Sequence, residues 1–181
     1  MLVQLRRSII VSAIFFVLLG LVYPLVTTGL AQVVFPHQAN GSLTSNGSTL
    51  IGQRWSGRRW FHGRADAFNA MASGASNLGP NSKALEEFVA KEVRYYHHLG
   101  VNPTASLVTG SGSGLDPDVS VAGAYAQVGM VAKANGLSSS AVSRLVASQI
   151  VGQQLGFLGS QYINVLSLNE ALTALVHHTK G

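Results

Sequence analysis

The chain lacks cysteine and is poor in charge. None of its 181 residues is Cys, and Asp, Glu, Lys and Arg together make up 10% of them, against about 25% in an average soluble domain. The absence of cysteine excludes disulfides, thiolate nucleophiles, thiolate zinc ligands and lipid-anchored cysteines. Scarce charge combined with 47% apolar residues is typical of a chain attached to a membrane.

The few charges are mostly basic and scattered along the chain. The net charge is +5, to which Arg6 and Arg7 contribute near the N-terminus. The only basic cluster consists of Arg54, Arg58, Arg59 and Arg64. Nucleic-acid binding needs a denser basic stripe, so we expect no nucleic-acid partner.

Charge is absent altogether between Ser8 and Gln53. Within that stretch, residues 9–31 are almost continuously apolar, and about 20 such residues suffice to cross a bilayer as a helix. The sequence therefore predicts a transmembrane helix over residues 9–31. Gly20 and Pro24 lie inside it, and Pro24 is expected to kink the helix.

The flanking charges predict the orientation of this helix. Arg6 and Arg7 precede it, and the next basic residue is Arg54, so the positive-inside rule keeps residues 1–8 in the cytoplasm. Ser8 and Ser12 form a small-xxx-small pair that could pack on a neighbouring helix. The rest of the chain then faces outward, in the periplasm or outside the cell.

A cleaved signal peptide is the alternative interpretation of the N-terminus. The triplet Gly29–Ala31 before Gln32 resembles a cleavage site, which would release a secreted binding protein. The apolar run exceeds the roughly 7–15 residues of a signal core, which favours an anchor.

Beyond a polar, turn-rich linker over residues 32–48, the pattern predicts one α+β or α/β domain over residues 49–181. Strands are expected over residues 49–55, 58–64, 105–110 and 162–166. Four helices are expected: from the early 80s to Gly100, over 121–134, over 140–153, and after a capping box formed by Ser167 and Glu170. The helix over 121–134 is expected to begin at a Ser120 N-cap and to face Tyr125, Val128 and Val131 inward.

The glycine-rich loop GSGSGLDPD, residues 110–118, has the composition of a phosphate cradle. It lacks the lysine of a Walker loop and the glycine spacing of a dinucleotide fingerprint, and Asp116 and Asp118 would repel phosphate. A structural loop is therefore favoured over a nucleotide site. We expect Gly112→Val or Gly114→Val to damage folding or assembly, and Asp116→Asn to be milder.

A hydrolase would combine Ser113, Asp116 and a histidine in this part of the chain. No GxSxG elbow is present, and no metal-ligand spacing stands out among the histidines. An anchored periplasmic hydrolase therefore stays only as an alternative hypothesis.

Seven segments, in order along the chain, resemble one known family. They are LGLVYPLVTTGLAQVVFPHQANGS (19–42), LIGQRW (50–55), FHGR (61–64), SNLGPNS (76–82), VTGSGSGLDPDVS (108–120), AYAQVGMVAKANGL (124–137) and NVLSLNEAL (164–172). The chain is similar over nearly its whole length to the C subunit of the bacterial Kdp potassium-transporting P-type ATPase. It departs from the family pattern at GRADA (63–67), where something nearer GRPSA is expected, and at Asp118-Val119, where His-Ile is common.

The resemblance implies a single-pass inner-membrane subunit without catalytic residues or a cofactor of its own. Its partners would be a channel-like potassium-translocating subunit, a P-type ATPase subunit and a small membrane peptide, with ATP and potassium bound at the level of the complex. It would assist assembly and act as a catalytic chaperone that promotes ATP binding by the ATPase subunit.

Two motifs are then candidate interface or structural elements. Their residues are Ser76, Asn77, Leu78, Gly79, Pro80, Gly112, Ser113, Gly114, Leu115, Asp116 and Pro117.

Overall fold

The computed structural model describes residues 1–180, and the chain divides into two compact units, residues 1–48 and the part from Thr49 onward. The first unit begins with a helix that runs from Leu2 to Val34, long and apolar enough to cross a membrane. Its large apolar side chains are all exposed. In water this would leave a large apolar surface uncovered, whereas hydrocarbon covers it.

The long helix changes geometry just before its proline. Helix α1 spans Leu2–Val17, a π-helical turn spans Leu18–Val22, and α2 spans Tyr23–Val34. In the π turn the Tyr23 amide donates to the carbonyl of Leu18, five residues back. This wider turn accommodates Pro24, which has no N–H and whose ring would press on the carbonyl four residues before it in a regular α-helix.

The stretch expected as a linker carries some regular structure. A single helical turn, α3, spans Pro36–Ala39, and a short antiparallel hairpin pairs β1 (Leu43–Thr44) with β2 (Gly47–Ser48). The Ser48 hydroxyl donates to the carbonyl of Gly41 at 2.7 Å, which ties the hairpin back to the turn before it.

The second unit is mixed α+β, as the sequence predicts, with far more helix than strand. Its helices are α4 (Lys83–Leu99), α5 (Ala105–Val108), α6 (Val121–Asn135), α7 (Ser139–Ser148) and α8 (Val165–Lys180). Strands β3 (Asp118–Ser120) and β4 (Tyr162–Asn164) pair antiparallel, with Val119 opposite Ile163. The core packs around α6, and its fully buried members include Phe61, Leu107, Val131, Val142, Val146, Ile163 and Leu168.

Three of the predicted helix boundaries that rest on local caps are confirmed. The Ser120 hydroxyl accepts from the Gly123 amide at 3.0 Å and begins α6, and left-handed Gly136 ends it. Left-handed Gly100 likewise ends α4. Within α6, Val128 and Val131 are buried, but Tyr125 is 40% exposed, so its predicted inward position was wrong.

Two other helix predictions need correction. Helix α7 ends at Ser148 rather than at residue 153. The predicted Ser167–Glu170 box does not begin α8, because the helix starts at Val165 and the Asn164 carboxamide oxygen accepts from the Ser167 amide at 3.2 Å. An Asn at the end of β4 therefore takes the capping position.

Three of the four predicted strands are absent from the described chain. Residues 49–55 and 58–64 form no ladder, and 105–108 form the turn of α5. Leu107 and Val108 are buried on that turn, so their apolar character reflects burial rather than a strand. Only the predicted strand over 162–166 is confirmed, as the shorter β4.

Candidate functional site

The glycine-rich loop, residues 110–118, is organised by a carboxylate that lies far away in sequence. Asp66 is 7% exposed, and its Oδ1 accepts from the Ser111 amide at 2.6 Å. Its Oδ2 accepts from the Ser111 hydroxyl at 2.7 Å and from the Asp116 amide at 2.9 Å. Charge-assisted hydrogen bonds of this kind are strong. The loop therefore already surrounds an anion, one that belongs to the protein.

Serine and aspartate side chains within the loop accept hydrogen bonds from further backbone amides of the loop. Gly114 donates to the Ser111 hydroxyl at 2.9 Å, and Leu115 donates to the Ser113 hydroxyl at 3.1 Å. The Asp118 amide donates to Asp116 Oδ1 at 3.0 Å. A phosphate cradle needs such amides free and pointing at the ligand. Their use inside the loop supports the structural interpretation over a nucleotide site.

Arg64 holds the loop from the side. Its guanidinium donates to the Gly110 carbonyl at 2.8 Å and to the Thr109 hydroxyl at 3.4 Å. Its Nε lies 3.7 Å from Asp116 Oδ2, an ion pair too long for a hydrogen bond. Arg64 therefore has a defined structural contact rather than the solvated position that is the default for a surface arginine.

Two glycines allow other segments to approach the loop. The Gly52 amide donates to the Leu115 carbonyl at 2.8 Å, and a Cβ on Gly52 would lie 2.8 Å from the Asp116 carbonyl carbon. Gly114 has φ +67°, and a Cβ there would lie 2.8 Å from the Gly74 carbonyl oxygen. Both contacts exclude a side chain.

Gly112 differs from these two positions. The space that a Cβ on Gly112 would take is open to 4 Å, and its φ is not positive. The expectation that valine damages both Gly112 and Gly114 therefore holds on geometric grounds only for Gly114.

The SNLGP motif lies apart from the loop. Residues 76–80 are exposed, and Asn77 has a left-handed φ of +54°. The approach to the loop is made just before the motif, where the Gly74 amide donates to the Ser113 carbonyl at 2.8 Å. Within residues 1–180 no hydrogen bond joins residues 76–80 to residues 110–118, so the structure does not bring the two candidate motifs into one site.

Within the predicted strand over 58–64, Phe61 and His62 are instead held by two side-chain amides. Asn169 of α8 accepts from the Phe61 amide and donates to the Phe61 carbonyl, both at 2.9 Å. Gln127 of α6 accepts from the His62 amide at 2.8 Å and donates to the His62 carbonyl at 3.0 Å. Each carboxamide thus makes the pair of bonds that a neighbouring strand would make.

All four of these residues are buried. Phe61 and His62 are consecutive, and Phe61 is held from α8 whereas His62 is held from α6. We call Asn169 and Gln127 the amide clasp. Within the predicted strand, residues 58–60 form a turn with Arg58 and Arg59 exposed, whereas residues 61–63 are buried and pair with no second strand. The strand-like sequence there reflects burial.

His62 does not form a catalytic arrangement with the loop. Its Nε2 lies 2.7 Å from the Gly57 carbonyl, and because a carbonyl only accepts, Nε2 carries the proton of the neutral ring. Burial lowers the pKa of His62, and the Gly57 bond opposes that shift. Its ring centroid lies 5.9 Å from those of both Tyr95 and Tyr96.

The hydrolase hypothesis has no geometric support. No histidine is a hydrogen-bond partner of Ser113 or Asp116 in the described part of the chain, and Asp116 is instead paired with Arg64. A nucleophile needs a base within hydrogen-bond reach. Residues 1–180 also contain no group of His, Asp and Glu that could hold a metal ion.

The sequence patterns did not point to Asp66, Gln127 or Asn169 as functional residues. Asp66 lies in GRADA, one of the two places where the chain departs from the family pattern, which is a usable signal. Asn169 is the one buried amide on α8 in the described residues, and Gln127 shares the mostly apolar buried face of α6 with Asn135. A buried amide must be hydrogen-bonded, so such a position predicts a backbone partner, although it does not say which one.

Comparison with known proteins agrees with the sequence resemblance. Residues 5–174 match the family model described as KdpC, the K+-transporting ATPase c chain. A relative from Gloeobacter violaceus is 43% identical over 181 residues, covering 95% of this chain and 96% of its own length. Relatives from Geobacter sulfurreducens and Gemmatimonas aurantiaca are 43% and 45% identical, over 96% and 97% of this chain and 98% and 94% of their own lengths. All three carry the name Potassium-transporting ATPase KdpC subunit.

Proposed function

The chain belongs to the KdpC family of K+-transporting ATPase c chains, and from this membership we propose that it is a non-catalytic accessory subunit of a high-affinity, ATP-driven potassium uptake complex. The observation that carries the proposal is the match over residues 5–174, which includes both the apolar helix and the unit that follows it. The loop geometry agrees, because its polar groups are occupied in holding the fold.

The proposed location is the bacterial inner membrane, with a single pass and a cytoplasmic N-terminus. The apolar helix Leu2–Val34 has no buried large side chain and carries Arg6 and Arg7 near its start. The next Lys or Arg is Arg54, in the second unit. The positive-inside rule therefore supports an outward position for the second unit.

The proposed partners are the channel-like potassium-translocating subunit, the P-type ATPase subunit and the small membrane peptide of the complex. An outward unit lies on the side from which potassium enters. It would hold the channel-like subunit in place or screen ions at the outer mouth of the potassium pathway.

An effect on ATP affinity would have to be indirect. An outward unit cannot touch cytoplasmic ATP, so promotion of ATP binding by the ATPase subunit would be a coupling free energy between distant sites, carried by the assembled complex. Such couplings amount to about 1–3 kcal/mol, that is roughly 5–150-fold in affinity.

Co-expression with the other three subunits tests this function. We expect the tagged chain to co-purify with all three, and a pump lacking the chain to fail to support growth at limiting potassium or to need more ATP for half-maximal turnover. If the other three subunits form a fully active pump while this chain purifies alone, the proposal is wrong.

A further inference from the structure

An exposed arch, residues 151–162, joins α7 to β4. Its base is closed by reciprocal backbone hydrogen bonds between Val151 and Tyr162, at 2.9 and 3.2 Å. A second reciprocal pair between Gln154 and Leu158, at 3.0 and 2.9 Å, closes the tip. The arch is therefore an ordered element with its own hydrogen bonds.

The tip of the arch displays large apolar side chains. Leu155 is 82% exposed, Phe157 is 70% exposed and Leu158 is 47% exposed. No described residue of the second unit covers them, although that unit buries leucine and phenylalanine elsewhere in its core. Apolar side chains grouped in this way mark an interaction surface more often than single exposed ones do.

The backbone of the tip is held in conformations that favour this display. Leu155 has φ +54°, a left-handed conformation that residues with a Cβ disfavour, and it is followed by Gly156 at φ +82°. The Gln153 carboxamide donates to the Gly159 carbonyl at 2.6 Å across the arch. An outlier of this kind, retained where it exposes a leucine, points to a function for the exposed side chain. A preorganised tip also loses little conformational freedom on binding.

The residues around the tip favour a protein pocket over a lipid surface as its binding partner. No Asp, Glu, Lys or Arg lies between Arg144 and Glu170, and the residues flanking the tip are Gln153, Gln154, Ser160 and Gln161. Segments that bind at a bilayer surface pair their apolar residues with Lys or Arg. Depletion of charge around an apolar centre with an aromatic residue is instead the composition of a protein interface.

We propose that the arch is an anchor that inserts Leu155 and Phe157 into an uncharged, apolar pocket of a partner subunit of the pump. This inference rests on the proposed function and names a surface through which the chain would hold its partner.

Single-cysteine labelling tests the anchor, because the chain contains no other cysteine. Phe157→Cys is compared with Ser139→Cys, an exposed position at the other end of α7. Each full-length variant is treated with a maleimide in detergent alone, in vesicles without partners, and in the assembled complex. We expect Phe157→Cys to react freely in the first two states and to be protected in the complex, whereas Ser139→Cys reports that the reagent reaches the complex.

A photo-crosslinking residue at position 157 should then capture a peptide of a partner subunit. Phe157→Ser should weaken association by roughly thirtyfold, as expected for a central anchor, without lowering the unfolding temperature of the isolated chain.

The other outcomes overturn the anchor. Protection in vesicles without partners would assign the tip to lipid, and protection that depends on the concentration of the isolated chain would assign it to a second copy. Free labelling in a complex that assembles normally would refute the anchor and leave the proposed function standing. If no complex forms, both fall together.

Discussion

In the helix Leu2–Val34 every large apolar side chain is exposed, whereas the second unit buries Phe61, Leu107 and Ile163 completely. The two regions also satisfy their backbones differently. The helix does so through its own backbone hydrogen bonds, with a π turn just before Pro24, while the second unit also relies on side chains such as Asn169 and Asp66. The difference indicates two surroundings: hydrocarbon offers no polar partners, so the backbone must be self-sufficient, and a water-facing unit has room for polar side chains inside.

The largest expected effect is at the amide clasp. Asn169→Leu leaves the buried amide and carbonyl of Phe61 without partners, at about 1–3 kcal/mol for each group, so unfolding should move to a markedly lower temperature. Tryptophan fluorescence is the measurement, because Trp55 and Trp60 are the only tryptophans and both lie in the second unit. Asn102→Leu, at an exposed position, should change the transition little. Equal unfolding transitions for the two variants would show that the amide clasp does not hold Phe61 and His62 in place.

An introduced lysine should distinguish an apolar residue exposed to lipid from one exposed to water. Leu19 and Met71 are 57% and 95% exposed, but only Leu19 lies in the proposed membrane span. Leu19→Lys should cost about 2.5–3.5 kcal/mol in membrane insertion, measured as the fraction of chain that resists carbonate extraction. Met71→Lys should leave that fraction unchanged. If the carbonate-resistant fraction of the Leu19→Lys variant equals that of wild type, the helix does not lie in the bilayer.

The glycine loop offers a matched pair of substitutions. In Gly114→Val the valine would have to adopt a left-handed φ, and its side chain would clash with the Gly74 carbonyl. This should lower the free energy of unfolding by about 1–3 kcal/mol. Gly112→Val meets open space and should be close to neutral. Asp116→Asn loses only a long, partly exposed ion pair with Arg64, so it should be milder than Gly114→Val. Thermal unfolding orders the three variants, and a Gly112 variant as damaged as the Gly114 variant would contradict the loop geometry.

The smallest expected effect concerns pH. Burial lowers the pKa of His62 below 6.5, so the unfolded chain takes up a proton first as the pH falls below about 6.5. Stability contributed by the neutral ring is therefore present above that pH and is lost below it. Between pH 7.5 and 5.0, wild type should lose more unfolding temperature than His62→Gln, and identical losses would exclude this contribution.

Local sequence signals predicted the elements that local contacts determine. The caps at Gly100, Ser120 and Gly136, which bound α4 and α6, follow from residues within one turn of each helix end. The apolar run predicted a membrane-length helix for the same reason, because length and composition are enough. A kink at Pro24 was predicted, but the π turn just before it was not.

The remaining features depend on contacts that are distant in sequence. Residues 58–64 look like a strand, and their actual partners, Gln127 and Asn169, lie 65 and 108 residues from His62 and Phe61. The loop over 110–118 was expected to be structural, but the carboxylate at its centre, Asp66, lies 45 residues before Ser111. No periodicity indicates such pairs, and only the amides on apolar helix faces and the unusual GRADA sequence mark the positions involved.

Membrane topology is the most direct test of the claim that the two units face different surroundings. Alkaline phosphatase fused after Gly181 should be active, a reporter that works only in the cytoplasm should be dark at the same position, and the mature chain should keep Arg6 and Arg7. An inactive phosphatase together with an active cytoplasmic reporter, or a mature chain that begins at Gln32, would contradict a membrane-anchored chain with an outward second unit.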